Sequence, residues 1–159
     1  FDAWFYHCQM DDFVQLARAN PEVNIILDHF GGPLGIGPYD GKQDEVYEAW
    51  QEGVAPLEGC TNVTFKLGGI NMKVNGFGWH QRSKPATSDE LVDKTARYYD
   101  YCIDTFGADR CMFESNFPVD RESVSYPVLW NAFKKMAQNR SAEEKDQLFR
   151  KTAEQVYRL

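Results

Sequence analysis

Short apolar runs alternate along this chain with longer stretches in which apolar residues return at every third or fourth position. The short runs are FDAWFYH (1–7), VNIILDH (23–29), NVTFKL (62–67) and RCMFES (110–115), each with the length and the β-branched or aromatic content of a buried strand. The stretches between them read as helices. Asp11 to Asn20 carries Phe13, Leu16 and Ala17 on one face and stops at Pro21, which cannot continue a helix. Asp44 to Leu57 repeats Val46, Trp50, Val54 and Leu57 at helical spacing. Thr87 with Glu90 makes a capping-box pattern, followed by Leu91, Cys102, Ile103 and Phe106 and by Gly107 as terminator. Ser125 to Gln138 is the next helix, and Ser141 with Glu144 caps a last one bearing Leu148, Phe149, Ala153 and Val156.

Strand followed by helix, four times over, predicts an α/β fold with a parallel sheet and helices packed outside it. Four such units are half of a (β/α)8 barrel, whose usual length is about 250 residues. Residues 1–159 are therefore expected to be a single partial domain. An open half barrel leaves two parallel edge strands unpaired. Either an N-terminal half that is absent here closes the barrel or a second copy pairs with it; the first is the expectation. The start agrees, because Phe1 has no methionine before it and already lies in a strand pattern. The rival, a doubly wound open sheet, calls for a glycine-rich phosphate turn. GGPLGIG (31–37) follows a strand but does not fit GxGxxG opening a helix.

Composition narrows the function classes. A net charge of −7 disfavours nucleic acid as a partner, since phosphate binding needs a basic surface. No apolar run approaches the roughly 18–20 residues that span a bilayer, so no membrane partner is expected. Cys8, Cys60, Cys102 and Cys111 show neither CxxC spacing nor accompanying histidines. They read as reduced thiols in a cytoplasmic protein.

In parallel α/β folds the chemistry sits at the carboxyl ends of the strands. Those ends carry His7, Asp28 with His29, Lys66, and Glu114 with Asn116, which includes two of the three histidines. Each also has a purely structural reading. His7 can be a rim histidine bonded to backbone, Asp28–His29 a local turn, and Lys66 with Glu114 a buried ion pair inside the barrel. From Gly59 to Ser88 there is no Asp or Glu, while Lys66, Lys73, His80, Arg82 and Lys84 fall in that segment. Such a loop, with Phe77 and Trp79 beside its charges, could attract a small anionic substrate and act as a lid, or be a solvated loop that lacks acids.

Four segments taken together, IILDHFGGP (25–33), NVTFKLGGI (62–70), GADRCMFESNFPVD (107–120) and TAEQVYRL (152–159), resemble the C-terminal half of the amidohydrolase-related TIM-barrel hydrolases, the amidohydrolase 2 group. FDAWFYHCQM matches the group's fifth strand more loosely. The group includes sugar-lactone and dicarboxylate-lactone hydrolases and metal-dependent decarboxylases. The resemblance implies that this chain holds strands five to eight, and that His29 is the strand-six histidine which polarises a carbonyl or binds substrate. It also implies that Asn116 stands where relatives carry the strand-eight aspartate of a GSDWP-like motif. That aspartate acts as general base toward water and, in metal-using members, as a ligand. A neutral amide does neither well.

Glu114 is the candidate substitute. It is expected to share a strand face with Asn116 and to activate water, while Asn116 holds the water or the substrate. Asp28, Lys66, His80 and Arg82 are the expected substrate-binding residues. The function expected is lactone hydrolysis, with either no cofactor or a divalent metal such as zinc, for which His7 and His29 are candidate ligands. The alternatives are a metal-dependent hydrolase or decarboxylase, and a catalytically inactive barrel serving as an interaction domain.

Overall fold

In the computed structural model, which describes residues 1–159, four parallel strands form one sheet in chain order. They are β1 (Asp2–Ala3), β2 (Ile25–Leu27), β3 (Val63–Leu67) and β4 (Cys111–Phe113). Each crossover carries a helix: α1 (Met10–Ala19), α2 (Gln43–Val54) and α3 (Ser88–Phe106). After β4 come α4 (Tyr126–Met136), α5 (Ala142–Asp146) and α6 (Thr152–Tyr157). This is a half barrel of the (β/α)8 kind.

Alternation along the strands separates two faces. Val63, Phe65 and Leu67 of β3 pack with Trp50, Leu57, Tyr99, Ile103 and Phe106 in the core between sheet and helices. Ile26, Thr64 and Met112 are buried on the other face, which would look into a closed barrel. The register pairs Leu27 with Phe65 and Leu67 with Phe113. Carried one residue further, it sets Asp28 beside Lys66 and Glu114 beside Gly68.

The helix boundaries follow their local signals. Thr87 caps α3 reciprocally: its hydroxyl accepts from the Glu90 amide at 3.3 Å, and the Glu90 carboxylate accepts from the Thr87 amide at 2.8 Å. Gly107 ends the same helix at φ 89°. Pro56 stops the α-helical ladder of α2, and residues Ala55–Gly59 tighten to a 3₁₀ turn. The expected last helix is interrupted, since a π turn at Gln147–Lys151 joins α5 to α6.

The strands are shorter than their apolar runs. Only Asp2 and Ala3 of the first run pair with β2, because the chain beyond Ala3 leaves the sheet to lie along the loop after β2. His7 opens a short 3₁₀ turn there and donates its amide to the Gly32 carbonyl at 3.2 Å. No helix is long and apolar enough to cross a membrane. All four cysteines are free, and Cys60, Cys102 and Cys111 are buried.

Candidate active site at the carboxyl ends of the strands

Beyond β2 the backbone turns left-handed for four residues running, with φ of 54° at His29, 58° at Phe30, 65° at Gly31 and 53° at Gly32. For the two residues with side chains this conformation costs roughly 1–2 kcal/mol each. The surroundings hold it in place. The Phe30 ring is buried against Trp50, Tyr98 and Tyr99, and Trp50 Nε1 donates to the Phe30 carbonyl at 2.6 Å. At Gly32 a Cβ would stand 2.3 Å from the Phe5 carbonyl oxygen, so the loop closes on the first segment only with glycine there. The turn brings His29 around to the end of β3.

Gly68 and Gly69, at the end of β3, leave space that any side chain would fill. A Cβ on Gly68 would lie 2.1 Å from the Glu114 carbonyl oxygen, and one on Gly69 2.4 Å from His29 Nδ1. With both positions bare, side chains from β2 and β4 meet across the end of β3. His29 Nδ1 lies 2.9 Å from Glu114 Oε2, and both side chains are largely buried. With Glu114 ionised, Nδ1 carries the proton and Nε2 is free for other chemistry. Burial alone would lower the His29 pKa. The hydrogen bond and charge of Glu114, helped by the charges of Asp28 and Asp120, outweigh it and raise the pKa above its ordinary value.

Lys66 does not pair with Glu114. Its ammonium lies 3.1 Å from Asp2 Oδ1 and 3.1 Å from Asp28 Oδ1. The register explains this, since Glu114 sits two rungs further along β4 than Met112, the partner of Lys66. Tyr157 of α6 joins the group by donating its hydroxyl to Asp2 Oδ1 at 2.6 Å. Burial would lower the Lys66 pKa, but Tyr157, Asp28 and Asp2 together raise it, so the ammonium stays charged. The Asp28 pKa is also raised, because burial outweighs its contact with Lys66.

Glu114 and Asn116 do not share a strand face. The strand ends at Phe113, and Asn116 has φ 51°, which breaks the alternation. Asn116 Nδ2 instead donates to Asp120 Oδ1 at 3.0 Å. Asp120, on the 3₁₀ turn Val119–Glu122, is fully buried, and its Oδ2 has no partner. Burial pushes its pKa up to about 7, against the Asn116 hydrogen bond and the His29 charge. Sequence reasoning missed this residue; its only signal was a carboxylate four positions after Asn116.

The loop after β3 is less positive than its sequence suggests. Lys73 pairs with Glu122, and Arg82 with Glu90 at 2.7 Å, so acids from neighbouring segments compensate it. His80 and Arg82 do not reach the His29–Glu114 pair. They line a cleft of about 550 Å³ together with Trp79, Phe117, Arg121 and Tyr126. Phe117, which follows Asn116 in the chain, is part of this lining. Arg121 takes part in no ion pair, which makes it the cleft's uncommitted cation.

His7 is occupied elsewhere. It is buried, its Nδ1 accepts from the Leu34 amide at 3.2 Å, and its ring packs edge-on against Tyr39. Burial lowers its pKa, partly opposed by its backbone contact with Gly32. No three of the chain's His, Cys, Asp and Glu residues converge as a metal site. His29 Nε2 is free to act as a donor, but with His7 held by the Leu34 amide and a neutral amide at 116 it is not joined by further ligands, so the residues of this chain do not fit a zinc ion by themselves.

The amidohydrolase family model matches residues 2–159. This chain belongs to the amidohydrolase family. It is 36% identical over 159 residues to the uncharacterised protein y4mH of Sinorhizobium fredii, and 26% identical over 160 residues to L-fucono-1,5-lactonase of Burkholderia multivorans. Both matches take in 100% of this chain but only 47% and 51% of the relatives, so the chain spans about half the length of the curated relatives it matches. Among solved structures it superposes on a zinc-bound amidohydrolase from Burkholderia multivorans with a TM-score of 0.83 at 24% identity, covering 99% of this chain and 52% of that one. That likeness carries the fold, a half barrel.

Proposed function

We propose that the full-length protein hydrolyses a lactone, and that this chain supplies the strand-six and strand-eight part of its active site. The observation that carries the proposal is the His29–Glu114 contact, built at the strand ends by a left-handed turn and two glycines. Membership of the amidohydrolase family and the likeness to a sugar-lactone hydrolase support it.

In this reading Glu114 fixes the ring orientation of His29 and raises its basicity. His29 Nε2 takes a proton from water as the water oxygen attacks the lactone carbonyl carbon. The ring carbon–oxygen bond then breaks, and the imidazolium returns the proton to the departing alkoxide, giving the open hydroxy acid. Asn116 holds the water. Lys66 and Asp28, two rungs below Glu114, bind substrate hydroxyl groups. Arg121, with His80 and Arg82 along the cleft, attracts an anionic substituent. No step is assigned to a metal ion.

The test is hydrolysis of sugar lactones, L-fucono-1,5-lactone among them, by the full-length protein with a pH indicator, before and after exhaustive chelation. Turnover that survives chelation is expected. Turnover lost on chelation and restored by zinc would overturn the metal-free division of labour. Absence of turnover on every lactone would overturn the activity.

A further inference from the structure

Asp120 is a buried carboxyl with one side-chain partner. Its backbone closes the turn after Pro118, donating to the Asn116 carbonyl at 3.1 Å and accepting from the Ser123 and Val124 amides at 3.0 and 2.9 Å. Any residue could make those main-chain contacts. Its side chain bonds only the Asn116 amide, and its second oxygen is sealed from solvent with no donor. Burying a carboxyl with so little compensation is costly, and neither packing nor the turn calls for an acid. The left-handed backbone at 116 explains why asparagine is tolerated there. It does not explain an aspartate at 120.

An ionised carboxylate accepts hydrogen bonds and cannot donate them. On the alkaline side of the Asp120 pKa, where the carboxylate is ionised, the NH2 of Asn116 must therefore face Asp120, and the planar amide turns its carbonyl oxygen the opposite way. That oxygen has no protein donor and is not sealed off. An uncharged asparagine at 120 would impose no such direction, because it could present either end of its own amide. We propose that Asp120 is a positioning residue that holds the Asn116 carbonyl oxygen toward the water deprotonated by His29. One water hydrogen then points at Asn116 Oδ1 and the other at His29 Nε2, leaving a lone pair for the carbonyl carbon. Asn116 follows Glu114 by two residues just past the end of β4, so its amide lies at the same strand end as the His29–Glu114 contact. The kinetic part of this inference rests on the lactone reading; the orientation of the amide does not.

Three variants of the full-length protein test it. Asp120→Asn keeps the volume and a hydrogen bond but releases the direction. Its kcat on the lactone should fall about tenfold to a hundredfold, the preference that one charge-assisted hydrogen bond enforces, with KM changed far less. Its thermal stability should not fall, whereas loss of a merely structural contact would lower it. The exchanged pair Asn116→Asp with Asp120→Asn should recover most of kcat, since the amide now at 120 donates and the carboxylate at 116 still offers an acceptor to water. With asparagine selectively ¹⁵N-labelled, the Asn116 side-chain NH2 should exchange slowly with solvent in the unaltered protein and rapidly in Asp120→Leu. Equal exchange in both, unchanged kcat in Asp120→Asn, or no recovery in the exchanged pair would each overturn the proposal. If no lactone is turned over, the activity reading fails by itself and the exchange measurement still decides the orientation.

Discussion

Replacing Asp120 by asparagine should stabilise the folded protein, and the gain should depend on pH. The Asp120 carboxyl has a pKa of about 7 in the fold against an ordinary 3.8. The folded state therefore binds this proton more tightly than the unfolded chain does. Below the ordinary value both states are protonated and the acid costs nothing extra. As pH rises toward the folded value, the unfolded chain ionises first, and stability falls. A shift of this size amounts to at most about 4 kcal/mol, reached once pH exceeds the folded value. Asparagine keeps the bond to Asn116 without the buried charge, so Asp120→Asn should recover much of that loss near pH 8 and less near pH 5. Urea midpoints of the two full-length proteins across this range measure the difference. A variant less stable than the parent at the alkaline end, or a gap that does not change with pH, would refute the reasoning. A gain in stability with a loss in rate is the pattern of a residue kept for function.

Other consequences arise from the same geometry. Gly69→Ala drives a Cβ to within 2.4 Å of His29 Nδ1 at φ 70°, and should cut kcat by about 10²-fold, read in the lactone assay. Trp50→Phe removes the 2.6 Å bond to the Phe30 carbonyl and should destabilise the fold by about 1–3 kcal/mol in urea, because a buried acceptor loses its donor. Lys66→Met leaves Asp2 and Asp28 without their cation and should lower stability most near neutral pH, with less effect in acid, where both carboxyls take up protons. If His29 is the base, kcat/KM rises with pH through its raised pKa, above 6.5. Glu114→Gln should move that acid limb to lower pH in a pH–rate profile, because burial then acts on the imidazole without the carboxylate's charge.

The helices and strand centres were legible because their signals are local. Thr87 with Glu90, Pro56 and Gly107 each act within a few residues, and the apolar runs mark where β2, β3 and β4 lie. The strand ends were not legible. Left-handed backbone at His29 and Phe30 depends on what packs around those residues, above all Trp50 on α2 and the glycines after β3, and residue type signals it only weakly, through the tolerance of asparagine and histidine for that conformation. His29 and Glu114 stood out singly, by chemistry and position at strand ends. Their partnership required the register, and so did the pairing of Lys66 with Asp28 and Asp2. The apparent surplus of positive charge from Gly59 to Ser88 vanished for a related reason, because Glu90 and Glu122 lie outside that window in sequence but beside it in space. Asp120 was overlooked since an acid in a turn is usually solvated; only its complete burial marks it out.

The central claim is that His29 and Glu114 act as one proton-handling unit in a lactone-opening site. Its most direct test is kcat for lactone hydrolysis by full-length Glu114→Gln, with folding checked by circular dichroism. The account predicts a loss of about 10²-fold or more in a protein that remains folded. A folded Glu114→Gln protein that turns over lactone at the parent rate would contradict it.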